Sequence, residues 1–181
     1  MTSRARLALA CAVLAAAAWT RASAQSVEVA LEYRVKAAYL FNFTKFVEWP
    51  EEALRDGTPL TICTVGGNPF GPALGETIRG EQVNGRPLAA RPAPPVEGCH
   101  LLFVPRAVPP AGHLAAASTR PILTVGESED FLDRGGMVRF VLEDGRIRFE
   151  INHDAAARMH LRISSRLLRL ARPTDGRVED R

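Results

Sequence analysis

Beyond its first two dozen residues the chain has no apolar run that approaches the roughly 20 residues a membrane-spanning helix needs, so no permanent anchor is expected. Histidines are few, and His100, His113, His153 and His160 never fall at the close spacing that puts two metal ligands on one helix face. A metal site is therefore not expected. His100, beside Cys99, could tune a reactive thiol, but a disulfide would consume that thiol, and a solvated histidine at a strand edge is the plainer reading. The glycines of Gly66-Gly67-Asn68-Pro69-Phe70-Gly71 come without the Walker lysine or the dinucleotide spacing, which leaves a tight turn between a strand and a helix. No serine sits in a nucleophile elbow, and the acids are scattered along surface segments, so no general acid and base pair can be named. No catalytic residue and no cofactor is expected, and there is no internal repeat.

What is present begins with an export signal. Arg4 and Arg6 precede the apolar run Leu7 to Trp19, and Ala22-Ser23-Ala24 has the small residues of a cleavage site, so residues 1–24 read as a cleavable leader. The leader carries Arg4, Arg6 and Arg21 and no acid; the remaining 157 residues hold 20 basic and 20 acidic side chains. A domain of zero net charge has no global field to draw in nucleic acid or anionic lipid. Its length suits one domain, expected over 25–172 with a loose tail at 173–181. Cys11 leaves with the leader, and the pair Cys63 and Cys99 enters the oxidising compartment. A bridge between them would stabilise the fold by about 4 kcal/mol through loop entropy, the alternative being two separate buried thiols.

Along the mature chain, Val27 to Trp49 reads as a long helix whose stripe Leu31, Val35, Ala38, Tyr39, Asn42, Phe43 and Phe46 is expected to face the core, with Pro50 as its stop. Leu60 to Val65 reads as a strand, and Leu101 to Val104 and Ile122 to Val125 as buried strands. Helices are expected through about Ile78, near Ala111 to Ser118 and over Glu129 to Asp133. The Pro-rich stretch Gly80 to Gly98 supports at most an irregular edge strand near Arg86 to Ala90. Asp144-Gly145 suits a type I′ turn, which predicts a hairpin over Met137 to Ile151 with Phe140 opposite Phe149 and Arg139 opposite Glu150. Asn152 reads as the cap of a helix from Asp154, and Leu167 to Ala171 as the last apolar segment. The fold class that follows is a three-layer α/β sandwich: a mixed, partly parallel sheet ending in an antiparallel hairpin, with helices on both faces.

Binding residues are harder to choose. Phe41, Phe43, Phe46 and Trp49 read first as core, with a partner or homodimer surface as the alternative. Asn42, Lys45 and Glu48 recur among them, and such embedded polar groups are either structural contacts or a small site.

The run Val35-Lys36-Ala37-Ala38-Tyr39-Leu40-Phe41-Asn42-Phe43-Thr44-Lys45-Phe46-Val47-Glu48-Trp49-Pro50 resembles the signature helix of the YfiR-like periplasmic proteins. Asn68-Pro69-Phe70-Gly71, Cys99-His100-Leu101-Leu102-Phe103, Gly135-Gly136-Met137, Arg148-Phe149-Glu150-Ile151-Asn152 and Ile163-Ser164-Ser165-Arg166-Leu167-Leu168 are similar to that family in order and spacing. The resemblance implies a regulatory protein that represses an inner-membrane diguanylate cyclase through the enzyme's periplasmic domain, with cyclic di-GMP and biofilm as the output. It also implies the Cys63 to Cys99 bridge; no cysteine follows Cys99, so a second bridge found in some members is absent. The contact would come from the aromatic helix or the final hairpin. A binding role of another kind would use Asn42, Lys45, Glu150 and Asn152 around a small-molecule pocket that reports to a membrane receptor, kinase or transporter.

Overall fold

The structure is a computed structural model, and it describes residues 28–54 and 57–174. The expected leader and the last seven residues of the expected tail lie outside the described residues. Helix α1 runs over 28–46, after which the chain straightens into β1 (Val47–Glu48), paired antiparallel with β9 (Arg162–Ile163). Helical periodicity thus extends three residues less than the sequence predicts, because Val47 and Glu48 gain a strand partner from far along the chain.

The main sheet has seven strands in the order β3-β4-β2-β5-β6-β7-β8. Its middle is parallel: β2 (Leu60–Val65), β5 (Leu101–Val104) and β6 (Leu123–Gly126) lie side by side, and their apolar runs are covered on both faces. One face carries Leu60, Ile62, Leu101, Phe103, Leu123 and Val125 into the larger core, where α1 and α2 (Ala73–Ile78) pack. The other carries Cys63, Val65, Leu102 and Val104 into a smaller core closed by α3 (Ala111–Ala117). Helices therefore flank both faces of a mixed sheet. The chain leaves β2 for β4 on one side and returns to β5 on the other, so the direction of winding reverses between β2 and β5.

The Pro-rich stretch is more regular than predicted. β4 (Arg86–Ala93) pairs with all six residues of β2, and β3 (Gln82–Val83) covers two residues of its outer edge. Leu88 N–H donates outward to the Glu81 carbonyl at 3.2 Å, so even-numbered residues of β4 point their amides away from β2. Pro92 shares that parity and costs no ladder bond, while Pro87 precedes the paired stretch. The Cys63–Cys99 disulfide closes the loop that follows, with Cα atoms 5.8 Å apart.

Strands β7 (Val138–Glu143) and β8 (Arg146–Ile151) form the hairpin in the predicted register, with Phe140 opposite Phe149 and Arg139 opposite Glu150. Asp144 and Gly145 both take positive φ, as a type I′ turn requires. The segment over Glu129 to Asp133 is a set of turns and not a helix; the Gly136 N–H reaches back to the Phe131 carbonyl at 2.9 Å and Gly135 is left-handed. Phe131 is fully buried with its ring clamped between Gly126 and Gly136. Asn152 caps α4 (His153–Arg158) by accepting from the Ala155 N–H at 3.0 Å, and Ser164 caps α5 (Ser165–Leu170) in the same way. Arg172, the last residue of the expected domain, is tied down: its N–H donates to the Phe149 carbonyl at 2.8 Å, against the outer edge of β8.

Candidate partner-docking groove

α1 is turned away from the orientation its sequence predicts. The buried arc is Lys36, Ala37, Leu40, Phe43 and Thr44, whereas Leu31, Val35, Ala38 and Asn42 face solvent. Two interactions fix this rotation. Phe43 stacks on Phe140 at 5.8 Å and meets Phe149 edge-on at 5.2 Å, seating the helix on the hairpin. Two turns earlier, Lys36 is drawn under the helix by Glu127, the residue after β6; Nζ and Oε1 are 2.5 Å apart and both side chains are buried. Glu127 also accepts from the Arg106 N–H at 2.8 Å and the Tyr33 hydroxyl at 3.3 Å, and Lys36 pairs with Glu32 one turn back. Burial, then the Glu127 charge, pushes the Tyr33 phenol well above its ordinary range.

The consequence is a groove of about 470 Å³ between α1 and the hairpin. Leu31, Val35 and Leu142 line it at 60%, 40% and 58% exposure. Its floor is Tyr39, whose hydroxyl donates to the Ile147 carbonyl at 3.3 Å and whose ring lies 5.5 Å from Phe149. The helix wall carries Glu28 and Glu32, and the hairpin wall Arg146 and Arg148. An apolar centre with charged walls of opposite sign is the chemistry of a protein contact.

The residues singled out from sequence fall in three places. Asn42 and Lys45 are exposed at the end of α1, Asn42 two turns past Val35 on the same side, and Lys45 Nζ lies 3.8 Å above the Phe41 ring. Glu48 is exposed on β1 and pairs with Arg162 at 3.2 Å. Trp49 is buried and donates from its indole to the His100 carbonyl at 3.1 Å. Glu150 is buried and bound by Arg139 at 2.5 Å, and with the capping Asn152 it lines a polar depression of about 640 Å³ that does not include Asn42 or Lys45. His100 is buried and not solvated: Nδ1 accepts from the Thr61 N–H at 3.0 Å and Nε2 donates to the Ala53 carbonyl at 3.1 Å. Burial lowers its pKa, although the bond to Ala53 opposes that shift.

Leu142 had a sequence signal, since it is the last apolar residue of the hairpin ladder and sits past the edge of the core. Lys36 and Glu127 had almost none, because each shows its partner only once the chain is folded. Among the described residues there is no group of three or more metal-ligating side chains, and no helix is long and apolar enough to cross a membrane.

Residues 33–172 match the description of YfiR/HmsC-like proteins. The chain belongs to the YfiR/HmsC-like family. The matched span takes in Val35, Tyr39 and the whole hairpin, with Leu31 just ahead of it. No curated protein matches the chain. Membership places it with periplasmic regulators of cyclic di-GMP signalling. Regulation by such a protein needs a surface to bind with, which makes the groove the part of the fold to explain.

Proposed function

We propose that this protein is a periplasmic repressor that seats the periplasmic domain of an inner-membrane diguanylate cyclase in the groove between α1 and the β7–β8 hairpin. The observation that carries the reading is the outward set of Leu31, Val35 and Leu142 in a chain of the YfiR/HmsC-like family. Each would contribute on the order of 1 kcal/mol if a partner covered it, since full burial of such a side chain is worth about 1.5–3 kcal/mol. Glu28 and Glu32 opposite Arg146 and Arg148 would set the partner's orientation. The protein acts by binding and carries out no chemistry of its own.

Repression follows from differential affinity. A partner that prefers the cyclase's inactive conformation by about 2.8 kcal/mol shifts its equilibrium about a hundredfold toward that state. The leader at residues 1–24 and the Cys63–Cys99 disulfide support action in an oxidising compartment. Chromosomal deletion, with cellular cyclic di-GMP quantified, tests the reading. The nucleotide should rise on deletion and return to its original level with the intact gene but not with one lacking the leader. An unchanged level would remove the cyclase from the account.

A further inference from the structure

Where the winding of a parallel sheet reverses, the loops leaving the two strands at the reversal diverge toward opposite faces and open a crevice at their carboxyl ends. Here those strands are β2 and β5. The loop at Gly66 to Pro69, the loop at Pro105 to Val108 and Tyr33 of α1 line an open depression of about 530 Å³. The loops touch: a Cβ on Gly66 would come within 2.4 Å of Val108 Cγ2, and Gly66 also has φ +72°. The two loops thus approach closely at a glycine that leaves no room for a side chain.

The buried Glu127 network lies beneath it. Both carboxylate oxygens are already engaged, one by Lys36 and the other by the Tyr33 hydroxyl and the Arg106 N–H. Glu127 is therefore a positioning group, which fixes Tyr33 and the Arg106 backbone from below. The Arg106 side chain is exposed, and its guanidinium has no hydrogen-bond or ion-pair partner among the described residues. Its charge still acts on Tyr33, opposing the rise that burial and Glu127 impose on the phenol. The remaining walls are largely apolar, from Pro69, Pro105, Val108 and the Tyr33 ring, with Asn68 as the one other polar side chain, its amide donating to the Gly71 carbonyl at 2.7 Å.

We propose that this crevice binds a small organic monoanion: a carboxylate held by the Arg106 guanidinium, on an apolar or aromatic body lying against the Tyr33 ring and the two prolines. The planar guanidinium fork matches a carboxylate's two oxygens. Local charge decides between a carboxylate and a phosphate. Lys36 and Arg106 balance Glu32 and Glu127, so a monoanion leaves the site with one excess negative charge, while a dianion leaves two beside a buried carboxylate. The site shares α1 with the groove but stands whether or not the groove receives a partner.

The test is an NMR titration of the exported, disulfide-intact protein with phenylacetate, with inorganic phosphate as the comparison anion. Phenylacetate should give saturable shifts at the amides of Gly66, Gly67, Arg106 and Ala107, and phosphate should bind far more weakly. Arg106→Gln should weaken phenylacetate about tenfold or more while leaving the melting temperature unchanged, and Arg158→Gln, in another depression, should leave binding intact. The proposal is overturned by the absence of saturable shifts, by shifts centred elsewhere, by equal affinity for phosphate, or by an Arg106→Gln protein that binds as tightly as the parent.

Discussion

Lys36→Met removes the cation from a buried ion pair and leaves Glu127 as a carboxylate with almost no access to water. Stripping one partner from a buried pair costs about 3–5 kcal/mol. The lower end applies, because the Tyr33 hydroxyl and the Arg106 N–H still donate to Glu127. Methionine fills most of the space lysine leaves, so no cavity term is added. For a domain of this length about 3 kcal/mol lowers the melting temperature by roughly 6–12 °C. The partner variant Lys36→Met with Glu127→Gln removes both charges and keeps an acceptor for Tyr33 and Arg106, so it should recover about 2 kcal/mol of the loss. Urea unfolding followed by far-UV circular dichroism, with the disulfide intact, measures both. A single variant that loses less than about 1 kcal/mol, or a double variant no better than the single, would show that this pair does not hold α1 in its rotated seat.

The Cys63–Cys99 disulfide should be worth about 4 kcal/mol by loop entropy, so Cys63→Ala with Cys99→Ala should lower the urea midpoint while keeping the parent's fold. Gly136→Ala should cost about 1–3 kcal/mol, because its Cβ would meet Phe131 Cδ1 at 2.2 Å and the Phe131 carbonyl at 2.6 Å; thermal unfolding reads it. His100 has a lowered pKa, so the unfolded chain takes up its proton first as pH falls. Its contribution is therefore complete above about pH 6.5 and is lost as pH drops through the folded value, and His100→Gln should flatten stability against pH in that window.

Local signals carried well from sequence to structure, and long-range ones did not. The hairpin was legible in full because turn type fixes register, and register fixes every facing pair from Val138–Ile151 to Glu143–Arg146. The strand at Leu101 announced itself as an apolar run without alternation, and those at Leu60 and Leu123 as short apolar-rich segments beside turn residues. The cap at Asn152 rests on a bond to a residue three positions on, which sequence also shows. The orientation of α1 was not legible, because its C-terminal half is apolar around most of its circumference and the choice of buried side rests on Glu127, ninety-one residues from Lys36. Strand β4 was hidden by its prolines, whose cost depends on which way each missing N–H would point. The groove follows from that same rotation, so no reading of the helix alone could place it.

The most direct test of the docking account is cyclic di-GMP in the deletion strain complemented by Leu31→Glu with Leu142→Glu. Both side chains are mostly exposed, so the variant should be exported, fold and melt as the parent does. The account predicts that it fails to lower the nucleotide, since two charges would have to be buried against the partner's apolar surface. A folded, exported variant that represses as well as the parent would contradict the claim that this groove is where the cyclase is held.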